Sequence, residues 1–255
     1  MAVVVGFSDE SASGDSLGPF LQAGYIAPET SWPFVADAWA ERVLCREPCI
    51  PYLHMIEIRD PEWRSRHGLS PFQAEEKIEE AAKVIDAAGD LLPAVSIIQR
   101  ADLEEIIKAA CRERGVRIPT GLDQPDYLSF VAYAHLALLL VREKFPRAVK
   151  LDLVASRKQK VTHHIKRFYQ AMKDSPGYPL AYLVGDLIPA SMEERNPLQA
   201  ADALAWHQRR FVENGTRDRN FFRFLKGRPY VQKYDKGLLA DFIGGLLARA
   251  SEQEM

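Results

Sequence analysis

Residues 2–11, Ala2-Val3-Val4-Val5-Gly6-Phe7-Ser8-Asp9-Glu10-Ser11, run from an unbroken apolar stretch straight into two carboxylates. The apolar part reads as a short buried strand over residues 2–8. In open α/β sheets ligands bind beyond the carboxyl ends of strands, so acids delivered at such an end are candidate site residues. Asp9 also fits a turn, because the following Asp-Glu-Ser-Ala-Ser-Gly run contains residues that bond their own backbone.

From that strand outward, apolar and β-branched runs alternate with helical periodicity. Residues 19–27, 50–58, 92–99, 148–154 and 179–187 read as further strands. Ser70 before Pro71 marks a helix start, and Asp123 with Pro125 opens a helix to about Lys144 that is apolar on nearly every face. Asn196-Pro197 begins another helix, and a last amphipathic one spans residues 236–249. The sum is an α/β fold with a mixed sheet, antiparallel early and joined by helical crossovers later. Residues 61–70 and 214–228, polar and rich in Arg, read as mobile loops.

Composition bounds the class. The 255 residues are 47% apolar and 27% charged, which describes a globular chain. The apolar stretch 128–141 is shorter than a bilayer requires and contains His135, so it reads as a buried helix. With no signal-peptide pattern, a cytoplasmic location and no membrane partner are expected. Cys45 and Cys49 have no second pair to complete a zinc site, and the cysteines read as reduced. No phosphate-loop, dinucleotide or nucleophile-elbow motif is present.

The net charge of −2 conceals an uneven distribution. Residues 57–113 hold 13 acids against 8 bases, residues 157–173 hold 6 bases and no acid, and residues 207–236 hold 9 bases against 3 acids. Arg157, Lys158, Lys160, Lys166, Arg167, Arg209 and Arg210 are therefore candidates for contact with a polyanion such as nucleic acid. Phe211, Phe221, Phe222, Phe224, Tyr230 and Tyr234 are interleaved with the second basic run, a mixture suited to stacking on bases.

The most informative segment is Asn196-Pro197-Leu198-Gln199-Ala200-Ala201-Asp202-Ala203-Leu204-Ala205-Trp206. Asparagine at the N-cap and proline at the first position fix the helical register, and on it Asp202 shares a face with Leu198, Gln199, Ala205 and Trp206. A carboxylate on an apolar face needs a partner. A structural ion pair with Arg195 or Arg210 is one answer, and a cation held jointly with other acids is another. Asp152, inside the apolar strand 148–154, is a third such acid, although Lys150 on the same strand face could neutralise it. Glu10, Glu57 and His54 are alternatives; in a regular strand His54 and Glu57 fall on opposite faces, so only one reaches a common site. Oxygen donors of this kind suit Mg²⁺ or Mn²⁺.

The first strand running into Asp9-Glu10-Ser11, then Leu21-Gln22-Ala23-Gly24-Tyr25-Ile26, and the late Leu198-Gln199-Ala200-Ala201-Asp202-Ala203-Leu204-Ala205 resemble the uncharacterised bacterial family called domain of unknown function 3800. The resemblance covers roughly residues 3–210. It implies an RNase H-like fold for the whole chain, residues 1–255, with a basic, aromatic loop and amphipathic helix appended over residues 211–250. It further implies metal ligation by Asp9 and Asp202 with Asp152 as the third acid, a catalytic group of Asp9, Glu10, Asp202 and Gln199, and Gln199 orienting Asp202 or a bound water. The expected activity is Mg²⁺- or Mn²⁺-dependent phosphodiester hydrolysis, with a non-catalytic binding module of the same fold as the alternative.

Overall fold

A computed structural model describes residues 2–12, 18–115, 125–156, 162–175, 177–227 and 229–253. Six strands, β1 (Ala2–Ala12), β2 (Phe20–Pro28), β3 (Leu92–Ile98), β4 (Ala148–Ser156), β5 (Val184–Ala190) and β6 (Tyr230–Tyr234), form one sheet in the order β5-β4-β1-β2-β3-β6. β2 pairs antiparallel with both β1 and β3, whereas the β1–β4, β4–β5 and β3–β6 pairs are parallel, so β2 alone runs against the rest. This is the expected α/β architecture, a mixed central sheet flanked by helices, with an antiparallel β1-β2-β3 meander continued by β4 and β5. β6, from the C-terminal segment, extends the same sheet beyond β3.

The helices are α1 (Trp32–Trp39), α2 (Pro61–Arg66), α3 (Pro71–Ala87), α4 (Arg100–Arg114), α5 (Pro125–Lys144), α6 (Thr162–Asp174), α7 (Asn196–Asn214), α8 (Phe221–Phe224) and α9 (Lys236–Gln253). They sort onto the two sheet faces by the period-two alternation of the strands. Val4 and Ile26 face α5 and α6, where Phe130, Tyr133, Leu138 and Tyr169 are buried. Phe7, Tyr25 and Ile97 face α1, α3 and α7, where Trp39, Ile78, Ala200, Ala203 and Leu204 are buried. α4 and α9 close the α5 layer near β3 and β6, around Ile98, Ile107, Tyr234 and Ile243. α5 is apolar all round because the sheet covers one side and α6 contributes to covering the other.

Several expectations required correction. β1 does not stop at Ser8: it continues to Ala12, and Asp9 pairs with Ala23 inside the ladder, which removes its turn reading. Gly24, opposite Ser8, permits that extension, since a Cβ there would collide with the Phe7 carbonyl oxygen. Residues 50–58 form no strand; an irregular segment ends in a 3₁₀ turn at Glu57–Arg59. The strand expected at 179–187 begins only at Val184, after a 3₁₀ turn. Residues 61–70 contain α2, and residues 214–227 contain α8, whose Phe221 and Phe224 lie in the core. The aromatic stacking expectation fails for Phe221, Phe224 and Tyr234, which are buried, whereas Phe222 is exposed. No described helix is long and apolar enough to cross a membrane.

Candidate acidic site

α7 begins at Asn196, with Arg195 in the cap position and Pro197 in the first turn. It lies flat on β1 and β2, and Ala200, Ala201, Ala203 and Ala205 let its backbone approach closely. Two polar side chains one turn apart are thereby buried: Gln199, fully, and Asp202, at 6% exposure.

Both capture the irregular segment that precedes Glu57. The Leu53 N–H donates to Gln199 Oε1 at 2.9 Å and the Met55 N–H donates to Asp202 Oδ2 at 2.7 Å. A helix offers side chains at i and i+3 on one face, and an extended segment presents alternate N–H groups on one side; the two repeats match over one step. Gln199 Oε1 also accepts from Trp39 Nε1 at 2.8 Å, and its Nε2 donates to the Met192 carbonyl at 2.8 Å. Its amide is therefore fully engaged in holding three elements together. Gln199 thereby fixes the segment whose Met55 N–H meets Asp202.

Because residues 50–58 turn instead of extending, His54 and Glu57 reach the same place, against the strand-based expectation. His54 Nε2 lies 3.7 Å from Asp202 Oδ1, and His54 Nδ1 lies 3.9 Å from Glu57 Oε1. Glu57 Oε2 is buried and has no hydrogen-bond partner. Burial pushes the Asp202 carboxyl up to about 6, against the opposing pull of His54 and the Met55 N–H, and the carboxylates of Glu10 and Glu57 push it further in the same direction. Like charges crowded in a dry place disfavour ionisation.

Asp9 is buried on β1, and its Oδ1 accepts the Glu10 N–H at 3.0 Å. Its odd-numbered position puts it with Val5 and Phe7 on the α7 face of the sheet. Asp152 is elsewhere. It stands opposite Val5 on β1, so Asp9 lies four residues further along, roughly 13 Å at strand spacing. Lys150 Nζ contacts Asp152 Oδ2 at 2.8 Å, and the Asp186 N–H donates to its Oδ1 at 2.7 Å. The structure thus brings His54 within 4 Å of both Asp202 and Glu57, carries Asp9 and Glu10 together on β1, and gives Asp152 a partner of its own.

Among the described residues Asp202 has His54 within 4 Å, and neither Arg195 nor Arg210 pairs with it. The Arg210 guanidinium lies 4.5 Å from the centre of the Trp206 ring, one helical turn from Asp202, and the Arg59 guanidinium lies 4.4 Å from the same ring. The stacking of Arg59 and Arg210 on Trp206 was not read from the sequence, although the i, i+4 spacing of Trp206 and Arg210 is a legible signal. Arg209 pairs with Glu213 at 3.7 Å. Lys166 and Arg167 are exposed on α6, in the opposite helical layer from Arg209 and Arg210, so these cations do not share one face. Arg157, Lys158 and Lys160 lie outside the described residues.

No family model matches the sequence, and no curated protein matches it. Among solved structures, the PCNA:RNase HII complex from Archaeoglobus fulgidus is similar at 13% identity and a TM-score of 0.37, over 85% of this chain and 81% of that one.

Proposed function

We propose that the protein is a divalent-metal-dependent phosphodiester hydrolase, a nuclease, with its site at Asp9, Glu10, Glu57 and Asp202. The observation that carries this reading is Asp202: a buried carboxylate whose ionisation burial, Glu10 and Glu57 all oppose, with the half-buried His54 3.7 Å away. Crowded hard oxygen donors, one of them the unpartnered Glu57 Oε2, fit Mg²⁺ or Mn²⁺ in chemistry. Bound there, the metal would supply an activated water and stabilisation of the leaving oxygen. The protein's own contribution is to hold Asp202 against Met55, exclude water with α7, and keep His54 between two carboxylates. The end motifs that resemble domain of unknown function 3800 support the same reading, and a cytoplasmic setting would supply the nucleic acid.

A non-catalytic binding module is favoured by one observation: among the described residues no three His, Cys, Asp or Glu side chains converge closely enough to hold a metal ion. One experiment separates the two. Mn²⁺ and Mg²⁺ are titrated by calorimetry into wild type, Asp9→Asn and Asp202→Asn, with melting temperature followed in parallel. Millimolar or tighter binding lost in both variants supports the hydrolase. No heat and no melting shift in wild type would reject it and leave the binding module.

A further inference from the structure

On the α7 side of the sheet the helical cover stops at β3. Val231 and Lys233 of β6, alternate residues on that face, are both exposed. The uncovered strip is the floor of a groove of about 540 Å³, walled by Phe211 and Gln208 of α7, by Phe221 and exposed Phe222 of α8, and by Arg217. Three features indicate what it holds.

The lining is apolar and aromatic, and the Arg217 guanidinium lies 4.4 Å from the centre of the Phe211 ring, which makes a flat, cationic wall. Arg217 and Lys233 are its charged residues, and among the described residues lining it none is acidic. Gln208 of α7 is 3% exposed and lines the groove, so a side-chain amide is available at its wall. Few polar groups converging in an apolar cleft of this size is the usual form of a small-ligand site.

We infer that this groove binds a nucleotide unit, its base stacked against Phe222 and hydrogen-bonded along one edge by the Gln208 amide, its phosphate held by Arg217 and Lys233. An amide presents a donor and an acceptor together, the pattern a base edge requires. Six residues separate Gln208 from Asp202 on α7, about 9 Å along the helix axis. A strand seated in the groove would therefore continue toward the acidic site. The choice of ligand rests on the phosphodiester reading above; the binding itself does not require hydrolysis.

The test uses the full chain in EDTA. Calorimetry follows the four ribonucleoside 5′-monophosphates, a nucleoside and inorganic phosphate, and fluorescence anisotropy follows a labelled single strand of about six nucleotides. Expected are a nucleotide affinity in the millimolar range or tighter, at least about tenfold above phosphate or nucleoside alone, and losses of about tenfold in Gln208→Met and Phe222→Ala. Gln208→Met should leave the melting temperature unchanged or raised, and Lys233→Gln should flatten the salt dependence. If mononucleotide and strand both respond to these variants, free nucleotides are ligands; if the strand alone responds, the unit is read within a polymer. Either supports the site. Absence of binding to nucleotide and strand, or binding indifferent to Gln208→Met, Phe222→Ala and Lys233→Gln, overturns it. Metal titrations that fail while this binding persists reject the hydrolase and leave the groove standing.

Discussion

Asp202 and Asp152 are two carboxylates set into otherwise apolar elements, and each accepts a backbone N–H at 2.7 Å, from Met55 and from Asp186 respectively. They differ in what else surrounds them. Asp152 has the Lys150 ammonium at 2.8 Å, whereas Asp202 has a histidine at 3.7 Å and the carboxylates of Glu10 and Glu57 nearby. One hydrogen bond of the same length serves a satisfied structural pair in one place and a crowded acid in the other. Charge partners, not burial or hydrogen bonding alone, separate an acid neutralised within the fold from one whose ionisation its surroundings oppose.

The contrast depends on α7 and residues 53–55 forming a fixed platform, so the largest expected effect comes from attacking the platform. Gln199→Leu leaves Trp39 Nε1, the Leu53 N–H and the Met192 carbonyl without their partner in a buried place. Each orphaned group costs about 1–3 kcal/mol, so a loss of about 3–5 kcal/mol is expected from denaturant midpoints at constant slope. A loss below about 1 kcal/mol would mean that the segment carrying His54 and Met55 is held by other contacts.

Next in size is the pH dependence of Asp202, measured in EDTA. Its carboxyl titrates at about 6 in the folded protein against 3.8 for the free group. A folded value above the unfolded one means that the native state binds the proton more tightly. Stability linked to this group is therefore fully present below about pH 4 and is lost as pH rises through about 6, by up to about 3 kcal/mol. Asp202→Asn keeps an acceptor for the Met55 N–H and carries no charge. Its stability should fall less than that of wild type between pH 4 and pH 6 and exceed it at pH 7. Parallel curves for the two proteins would show that Asp202 is as well neutralised as Asp152.

How much of this was legible in the sequence follows from how local each signal is. Pro197 and the apolar run around Asp202 fixed the face of α7 correctly, because a helical register depends only on neighbouring residues. The sheet's mixed character was likewise readable from the order of apolar runs. The meeting of His54 with Asp202 and Glu57 was not. Residues 50–58 have the composition of a strand, but the acceptors that claim the Leu53 and Met55 N–H groups come from Gln199 and Asp202, about 150 positions away. Side-chain capture overrode β propensity, and His54 and Glu57 came together on a turn as a result. The packing of Phe221 and Phe224 escaped for a similar reason: their partners, including His207 and Phe211, are on α7, and Arg-rich neighbours disguised a core segment as a loop.

The smallest expected effect sharpens the comparison most. Asp152→Asn retains an oxygen for the Asp186 N–H and removes only the charge facing Lys150, whose side chain is 37% exposed and also lies 3.3 Å from Asp186. An ion pair at this exposure is worth under about 1 kcal/mol, and Asp186 is placed to take up part of the lost interaction. Gly185 adds a steric condition, since a Cβ there would strike Asp152 Oδ1, so the pocket accepts the isosteric amide and little else. Asp152→Asn should therefore melt close to wild type and bind Mn²⁺ with undiminished heat, in the same titration where Asp202→Asn binds none. Metal binding lost equally in both would place Asp152 among the ligands, in which case the Lys150 pair is what a cation displaces.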